Sequence, residues 1–302
     1  DLINLNIKTV EYLCKHLGTN KVELDSILNN IDNYLDSWTM KKGNKERPIT
    51  SPKGRLKEIL RNVNAILQRI SVPQYIHGGK KGKSNITNAA EHLNKQMVVK
   101  NDIKNFFPSV KHKMVYRMFN NELGCSPDVS RYLTRLTTNN GCLPQGYPTS
   151  TIIGALVTRN MAKRLDGLAK MHKAKFTLFV DDITMSGSNH LRKLNKLTQK
   201  IVKQESFETK PEKNENVGHN KEQVVTGARV NKCIDVPREK IDNIHEILNY
   251  IESKCKLGEP IHAKEKNSIL GKIAYVNRLN IGAGKHLRNK LNDIFKKYSI
   301  VS

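Results

Sequence analysis

Apolar residues near the start of the chain recur at helical spacing. They follow one another at near-helical intervals between Leu5 and Leu35, as expected for helices that bury one face. A second stretch with the same spacing runs from Leu56 to Ile70. Between the two, residues 41–55 contain prolines and glycines that interrupt the period. They predict two short strands joined by a basic turn.

The middle of the chain alternates strand-like segments with acidic residues. The segment QMVVKNDI begins as a strand and ends at Asp102. Further on, KFTLFV and ITMSG flank Asp181 and Asp182, which predicts a β-hairpin with two adjacent acids at its tip. Residues 139–172 predict a Gly/Pro turn followed by one long helix. The acids therefore stand at the ends of strands and not within helices.

The remaining segments predict loops, a second hairpin and a helical C-terminal part. Residues 77–93 predict a glycine–lysine loop and then a helix whose N-cap is Asn85 or Thr87. Residues 224–236 predict the second hairpin. From about residue 238 the pattern predicts three helices.

The charge of the chain points to a polyanionic partner. The 302 residues include 52 Lys and Arg against 28 Asp and Glu, which gives a net charge of +24. Such an excess repels itself unless a polyanion neutralises it, so nucleic acid is the favoured partner. A basic protein with a merely solvated surface is the alternative. The apolar fraction of 37% predicts a globular chain, long enough for two or three domains.

Several classes of protein and site are disfavoured. The five cysteines are widely spaced and form no CxxC pair, which argues against a disulfide framework or a zinc site and suits a reducing compartment. The ten histidines show no HExxH spacing. No apolar run has membrane-spanning length, and the first residues do not resemble a signal peptide. We therefore expect a cytoplasmic protein without membrane contact.

The three acids suggest metal-dependent phosphoryl chemistry. If the strand ending at Asp102 pairs with the hairpin that carries Asp181 and Asp182, three carboxylates meet at one edge of a sheet. Mg²⁺ prefers oxygen ligands, and two such ions about 3.5–4 Å apart support an in-line displacement at phosphorus. The alternative for the acid pair alone is an ordinary hairpin turn, where Asp is common.

Five segments, in order, resemble sequence blocks of reverse transcriptases. They cover the chain from about residue 47 to residue 280 and read RPITSPKGRLKEILRNVNAIL, DIKNFFPSV, LPQGYPTSTIIGALV, FVDD and LGKIAYVNRLN. Asn88 to His92, NAAEH, resembles the NAxxH element of bacterial retron reverse transcriptases, and residues 225–227 resemble their VTG element. Two departures are Val180, where many retron enzymes have alanine, and Thr151, where proline is common.

The resemblance implies a right-hand polymerase of the α+β class, with fingers, a palm built on an antiparallel sheet, and a helical thumb. We expect the following division of the chain: an N-terminal helical segment (1–36), fingers (37–98), a palm (99–236) with a fingers insertion at about 111–145, and a helical thumb (237–302). No RNase H domain or maturase extension is expected within these residues.

The resemblance also implies an activity and its partners. Retron enzymes copy one structured non-coding RNA that serves as template and primer. Synthesis starts at the 2′-hydroxyl of an internal guanosine and yields branched, RNA-linked single-stranded DNA (msDNA). The expected ligands are dNTPs, an RNA–DNA hybrid, the single-stranded DNA product and two Mg²⁺ ions, or Mn²⁺ in their place. A separate effector protein and a role in anti-phage defence are implied as well.

The resemblance assigns the catalytic carboxylates to Asp102, Asp181 and Asp182. Asp102 and Asp181 are expected to coordinate both metals, with Asp182 in a weaker role and the backbone carbonyl of Ile103 completing one coordination sphere. The alternative is three unrelated surface acids.

The resemblance also assigns residues to the incoming nucleotide and to RNA. Phe107 is expected under the sugar, where its ring would exclude a 2′-hydroxyl, while Phe106 packs into the core. The other predicted nucleotide contacts are Gln145, Gly146, Arg47, Arg55 and Lys213. The predicted RNA contacts are Lys80, Lys81, Lys83, Asn88, His92, Thr226, Gly227 and Lys290. For Asn88 and His92 an ordering role within the palm is equally open, and Gly227 is open to a role as a turn residue alone.

Two other functions remain compatible with the sequence. One is a different defence-associated or intron-derived reverse transcriptase, against which the NAxxH and VTG elements argue. The other is a non-catalytic RNA-binding protein on a polymerase fold, against which the three intact acids and the LPQG block argue.

Overall fold

The N-terminal part of the chain combines short helices with one long hairpin. The computed structural model describes residues 5–42 and 45–298. Its first elements are α1 (Val10–Leu17), α2 (Lys21–Asn29), β1 (Leu35–Lys42), β2 (Lys45–Pro52) and α3 (Gly54–Leu67). The predicted helical period through Leu35 was wrong at its end, because Leu35 opens β1 and pairs with Pro52. The predicted basic turn between the strands includes residues 43–44, which lie outside the described residues.

A four-stranded antiparallel sheet lies at the centre of the molecule. Its strands are β3 (Met97–Asp102), β4 (Lys175–Phe179), β5 (Asp182–Gly187) and β6 (Glu215–Gly218), in the spatial order β4-β5-β3-β6. The strand that ends at Asp102 therefore pairs directly with the hairpin that carries the adjacent acids, which confirms that prediction. Successive residues of β3 face opposite sides of the sheet, so Val99 lies in one apolar core and Val98 in another.

Helices lie before and between these strands along the chain, and some of them pack against the sheet. They are α4 (Asn85–Ala90), α5 (Phe106–Ser109), α6 (His112–Arg117), α7 (Pro127–Thr137), α8 (Ser150–Val157), α9 (Arg159–Met171) and α10 (Leu194–Gln204). The long helix predicted after the Gly/Pro turn of residues 139–172 is two helices that meet at Thr158. The Thr158 hydroxyl donates to the Gly154 carbonyl at 2.8 Å, a back-bond that bends helices.

Helix α4 begins at a capping box that differs from the predicted one. Its N-cap is Ser84, whose Oγ accepts from the Thr87 amide, while Thr87 Oγ1 accepts from the Ser84 amide. The predicted N-cap, Asn85 or Thr87, was therefore one to three residues late. This box leaves the Asn85 side chain free to reach across to another element.

The C-terminal part packs around a separate core. It contains the small hairpin of β7 (Val224–Val225) and β8 (Ala228–Arg229), and the three predicted helices α11 (Arg238–Lys256), α12 (Ala263–Leu279) and α13 (Ile281–Lys297). Their apolar faces enclose a cluster that also takes in Ala89 of α4. Helix α4 thus joins the C-terminal helices to the central sheet. No helix of the described segments is both long and apolar enough to cross a membrane.

Candidate active site

The two adjacent acids lie at a tight turn between β4 and β5. Phe179 pairs with Asp182, so Val180 and Asp181 alone form the connection. Val180 has φ of +59°, in the left-handed region that β-branched residues rarely adopt. Two-residue hairpin loops require such positive φ values. The turn therefore holds both acids at the end of the sheet at the expense of an unfavourable backbone conformation.

The register of β3 against β5 brings the third acid to the same place. Asp102 and Asp182 are direct partners, and residues opposite each other in an antiparallel pair have Cβ atoms about 4.5–5.5 Å apart on one face. The amide of Ile103 donates to the Asp181 carbonyl at 2.9 Å, which ties the end of β3 to the turn. Asp102, which is distant in the sequence, is thus a neighbour of Asp181 and Asp182 in the structure.

Two lysines from the loop after α10 neutralise Asp102. The ammonium groups of Lys210 and Lys213 each donate to one oxygen of its carboxylate, which is only 4% exposed. Lys210 Nζ also lies 4.0 Å from Asp181 Oδ2. The Lys210 amide donates to the Asp102 carbonyl at 2.8 Å, so the loop is bound by backbone and side chain alike. One ammonium group therefore bridges two of the acids.

The acids also perturb one another. Burial raises the pKa of Asp182 to about 6, and the charges of Asp181 and Asp102 add to that increase. Burial and the charge of Asp102 raise the pKa of Asp181 as well. Burial works against the charged form of Lys213, but its hydrogen bond to Asp102 and the charges of the three acids together outweigh this, so its pKa is raised. The site concentrates negative charge that bound cations relieve.

These residues suit a divalent cation bound together with a substrate. Carboxylate oxygens are the ligands that Mg²⁺ prefers, and Mg²⁺ sites of this kind use one or two carboxylates plus substrate phosphates. Within residues 5–42 and 45–298, no three acidic, His or Cys side chains form a complete metal cage. The ammonium of Lys210, between Asp102 and Asp181, occupies a position suited to a cation. The donor set therefore fits a metal whose remaining ligands come from a nucleotide.

A cavity of about 380 Å³ opens beside the acids. Asp102, Asp182 and Lys213 line one part of it, and Thr226 and Gly227 of the β7–β8 turn line another. A larger cavity of about 1020 Å³ lies between α11 and α12, with none of the three acids in its wall. The smaller cavity is the one in which a substrate would meet the carboxylates.

Comparison with known proteins identifies the family. The profile of the family "Reverse transcriptase (RNA-dependent DNA polymerase)" matches residues 39–230, a range that contains all three acids. The chain is also 32% identical to the retron Se72 reverse transcriptase of Salmonella heidelberg, over 97% of this chain and 81% of that protein. The chain belongs to the retron reverse transcriptase family. It is therefore an RNA-directed DNA polymerase with a template RNA as partner, and its α+β polymerase fold is that of the family.

Other relatives agree with this assignment. The retron Mx65 reverse transcriptase of Myxococcus xanthus is 30% identical over 83% of this chain and 62% of that protein. The retron Ec86 reverse transcriptase of Escherichia coli is 27% identical over 81% of this chain and 80% of that protein. A solved foamy viral protease-reverse transcriptase bound to double-stranded DNA has a TM-score of 0.46 at 14% identity, covering 99% of this chain and 50% of that one, which is too distant to support a conclusion.

The two phenylalanines after Asp102 in this reverse transcriptase have different environments. Phe106 is buried, as predicted, and a Cβ at Gly154 would lie 2.7 Å from its ring, so only glycine fits there. Phe107 is half-buried and packs against the edge of the same core. It is therefore the phenylalanine with a surface left for a ligand.

The LPQG loop lies along the outer edge of the N-terminal hairpin. The Gln145 carbonyl accepts from the Thr50 amide of β2 at 2.8 Å. Gly146 has φ of +121°, and a Cβ there would lie 2.5 Å from the Thr50 carbonyl oxygen. Glycine is thus required at position 146 because the LPQG loop lies so close to β2. The Gln145 side chain is partly exposed.

The predicted nucleotide contact of Arg55 is not supported by its surroundings. Its guanidinium donates to Glu23 at 2.8 Å, to Glu58 at 2.9 Å and to the Gly18 carbonyl, so its donors are directed at the N-terminal helices. These partners raise its pKa further above its usual range. Arg55 therefore connects α3 to α2. Arg47 is exposed on β2, opposite Met40.

The lysines of the glycine–lysine loop also differ from one another. Lys80 Nζ donates to the Gln68 and Ile70 carbonyls at 2.6 and 2.7 Å, and burial lowers its pKa. These contacts favour a structural role at the end of α3 over the predicted RNA contact. The Lys83 ammonium donates to Gln74 at 3.1 Å, whereas the Lys81 side chain is exposed.

The NAxxH element is buried, which for Asn88 and His92 favours an ordering role over the predicted RNA contacts. Both side chains are 0% exposed. His92 Nδ1 and Nε2 lie 2.7 Å from the hydroxyls of Ser186 and Thr177, and burial lowers its pKa to about 3. The neutral imidazole joins α4 to β4 and β5. The ordering role that the sequence left open is the one that this burial supports.

The VTG element forms the turn between β7 and β8. Thr226 and Gly227 both have positive φ, of 44° and 84°, as tight hairpin turns require. Thr226 Oγ1 donates to the Asn85 carbonyl at 2.7 Å, and Asn88 Nδ2 donates to Thr226 Oγ1 at 3.4 Å. The hydroxyl of Tyr275 on α12 donates to the Gly227 carbonyl at 3.1 Å. The two retron elements are therefore in contact with each other and with α12.

Sequence reasoning did not find Lys210, Asn85 or Tyr275. Lys210 stands in the same KPEK segment as Lys213, but nothing in a polar loop indicates which lysine faces an acid 108 positions away. Asn85 and Tyr275 are 190 positions apart, and their 3.1 Å contact depends on how α4 and α12 pack. Lys290 is half-buried on α13. The contacts of Lys210, Asn85 and Tyr275 become apparent only in the folded structure.

Proposed function

We propose that this enzyme reverse transcribes one cognate structured RNA, primed from an internal 2′-hydroxyl, and so makes branched, RNA-linked single-stranded DNA. The observation that supports it most directly is the shared cavity beside the acids. Thr226 and Gly227 of the VTG turn line it together with Asp102 and Asp182. An RNA held at this turn would present its backbone to the carboxylates.

We propose Asp102, Asp181 and Asp182 as the catalytic carboxylates. Asp102 and Asp181 would hold two Mg²⁺ ions, with the Ile103 carbonyl as a further ligand, and Lys210 would have to leave the space between them. The ions supply Lewis-acid stabilisation of the charge at the reacting phosphorus. Asp182, the direct partner of Asp102 in the sheet, would take a weaker part beside the other two acids.

We propose that Phe107, Gln145, Arg47 and Lys213 hold the incoming dNTP; of these, Lys213 lines the cavity beside the acids. Phe107 would lie under the sugar, where its ring leaves no room for a 2′-hydroxyl. Gln145 is partly exposed at the LPQG loop and can hydrogen-bond sugar or base. Arg47 and Lys213 would contact the triphosphate, because guanidinium and ammonium groups donate to phosphate oxygens. Lys213 already stands at the acids.

We propose that the RNA backbone follows the basic surface that Lys81, Lys83 and Lys290 contribute to. A-form duplexes hide their base edges, so contacts to backbone and shape would dominate. The RNA–DNA hybrid and the single-stranded product would share this surface. By extension from retron systems, a separate effector protein and a role in anti-phage defence complete the proposal.

The test begins with the nucleic acid that co-purifies with the protein, which is sequenced and transcribed. Purified enzyme, this RNA, Mg²⁺ and labelled dNTPs should give labelled DNA attached to the RNA. An enzyme that hydrolyses 2′,5′ linkages should release that DNA. Asp181→Asn should abolish extension without lowering the affinity for RNA, because the turn backbone keeps its conformation while one carboxylate charge is lost.

Two outcomes would point elsewhere. Labelled DNA without a 2′,5′ linkage would favour a different class of reverse transcriptase. Extension by Asp181→Asn at the normal rate would remove the proposed catalytic site, and no extension by the unaltered enzyme would favour a non-catalytic RNA-binding protein.

A further inference from the structure

A short segment outside the predicted site lies directly behind the turn that carries the acids. It comprises residues 75–79, and we name it the backing segment. Leu178 of β4 donates its amide to the Tyr75 carbonyl at 2.8 Å, and the His77 amide donates to the Leu178 carbonyl at 2.8 Å. Ile76 forms a parallel bridge with Leu178. The backing segment therefore extends the sheet along the far edge of β4.

The backing segment touches the turn at its most constrained residue. A Cβ at Gly78 would lie 2.2 Å from the Val180 amide nitrogen, 2.8 Å from Val180 Cγ2 and 2.9 Å from Val180 Cα. Side chains essentially never approach backbone so closely, so a glycine is required at this position. Val180 is the residue with φ of +59° that immediately precedes Asp181.

The next glycine meets a different part of the enzyme. Gly79 has φ of +81°, and a Cβ there would lie 2.6 Å from the Thr151 carbonyl carbon and oxygen, at the start of α8. Gly78 and Gly79 thus lie between the turn that carries Asp181 and Asp182 and helix α8, which follows the LPQG loop.

Contacts on its other sides keep the backing segment in place. Gln68 Nε2 donates to the Gly79 carbonyl at 2.6 Å, and Gln68 Oε1 accepts from the Lys81 amide at 2.9 Å. The buried His77 ring has its Nδ1 3.1 Å from Thr87 Oγ1 in the capping box of α4. Because the segment is held by α3, α4 and β4 together, a clash at Gly78 is relieved more easily by movement of the turn.

We propose that the backing segment positions the catalytic carboxylates: Gly78 packs against Val180 and holds it in the left-handed conformation from which Asp181 and Asp182 reach the metal. Gly78 is a positioning residue, since it acts through Val180 and touches no reacting atom. This inference rests on the proposed catalytic role of the two acids.

The decisive variant is Gly78→Ala. Gly78 has a φ outside the left-handed region, so alanine tests the contact with Val180 and not a backbone preference. Mn²⁺ binding is measured by electron paramagnetic resonance on the complex with primer–template and a non-hydrolysable dNTP, after subtraction of the Mn²⁺ bound by the Asp181→Asn complex. We expect Mn²⁺ affinity to fall about tenfold or more, as for changes in residues that orient metal ligands. RNA affinity should stay unchanged.

Gly82→Ala is the matched control. Gly82 lies in the same loop and has φ of +83°, but a Cβ there would have no neighbour within 4 Å. The change strains the loop without reaching the turn, so Mn²⁺ binding should stay at the wild-type level. Equal losses in Gly78→Ala and Gly82→Ala would reduce the effect to general loop disruption and overturn the inference.

A double variant tests the route through Val180. Val180→Gly removes Cγ2 and lets the turn move without a β-branched side chain, so Gly78→Ala/Val180→Gly should regain Mn²⁺ affinity relative to Gly78→Ala. Purely additive losses would show that the two positions are not coupled. If Gly78→Ala does not fold, the double variant is compared with Val180→Gly alone. The close contact with the backbone nitrogen of residue 180 persists in the double variant, so it should bind Mn²⁺ more weakly than Val180→Gly, and equal affinities would overturn the inference.

The controls separate this inference from the proposed function. If Asp181→Asn binds as much Mn²⁺ as the wild type and still extends primers, the proposed catalytic site is wrong. If Asp181→Asn is inactive while Gly78→Ala matches the wild type in Mn²⁺ affinity and extension, only the positioning role is wrong.

Discussion

Individual polar residues in this enzyme take their roles from distant partners. Asp102 is buried, and Lys210 and Lys213 donate to both of its oxygens. His92 is equally buried, but its partners are neutral hydroxyls, so it is held as the uncharged imidazole. Burial of an ionisable group is tolerated when its charge is paired or absent. The paired charge of Asp102 lies in the candidate active site, whereas the neutral His92 connects α4 to the sheet.

His92 should make the stability of the enzyme sensitive to mild acid. Its folded-state pKa of about 3 lies below the value of about 6.5 expected in the unfolded chain. Below pH 6.5 the unfolded state binds more protons, so the free energy of unfolding falls as the pH falls. In His92→Gln, urea unfolding at pH 6.5 and pH 5 should differ by about 2 kcal/mol less than in the wild type.

The exposed residue His190 supplies the control for this measurement. His190→Gln should keep the pH dependence of the wild type. Identical pH dependence in His92→Gln and the wild type would mean that His92 does not stay neutral in the folded protein.

The sequence predicted which acids meet, but it did not predict the roles of several cations. The order of the motifs and the strand pattern before Asp102 were enough to predict that Asp102 meets the acid pair, because strand register follows from local pattern. Arg55 and Lys80 stand in equally suggestive basic segments, yet their donors go to Glu23 and to the end of α3. A lysine in a loop carries no periodic signal, so its partner depends on packing between segments that are remote in the sequence.

At the level of elements, tight turns determine the geometry of the site. The turn that carries Asp181 and Asp182 and the VTG turn both contain residues with positive φ. The first packs against the backing segment, and the second is hydrogen-bonded to α4. Helix boundaries were predicted less well than strands. Helix α3 ends at Leu67 and not at Ile70. The Ile70 amide donates to the Leu67 carbonyl, and the Lys80 ammonium donates to the Gln68 and Ile70 carbonyls. Apolar spacing does not reveal such a distant capping group.

Loss of the Thr226 hydroxyl should loosen the junction between α4 and the C-terminal helices. Thr226→Val keeps the shape of the side chain but removes the donor to the Asn85 carbonyl and the acceptor for Asn88. Since Asn88 is buried, the free energy of unfolding should fall by about 1–3 kcal/mol in urea denaturation. Thr226→Ser retains the hydroxyl and should stay near wild type. Equal stability of the valine and serine variants would contradict a role for these hydrogen bonds.

At the level of the whole molecule, a net charge of +24 surrounds a small acidic centre. Lysines bound to acids or carbonyls contribute little to counterion exchange, whereas exposed lysines release counterions when RNA binds. The total charge therefore overstates the number of cations that contact RNA. One loop contains a lysine of each kind: the Lys80 ammonium donates to carbonyls, whereas the adjacent Lys81 side chain is exposed.

The salt dependence of RNA binding should distinguish these two lysines. Lys81→Ala should weaken binding to all RNAs alike and reduce the slope of log K against log salt by about 1, because one phosphate contact is lost. Lys80→Ala should leave that slope unchanged and instead lower the unfolding temperature, since its ammonium donates to the Gln68 and Ile70 carbonyls. Filter-binding titrations across a salt series and thermal unfolding measure the two effects. An unchanged slope for Lys81→Ala would place the RNA backbone elsewhere on the basic surface, and a reduced slope for Lys80→Ala would show that its ammonium leaves α3 to bind phosphate.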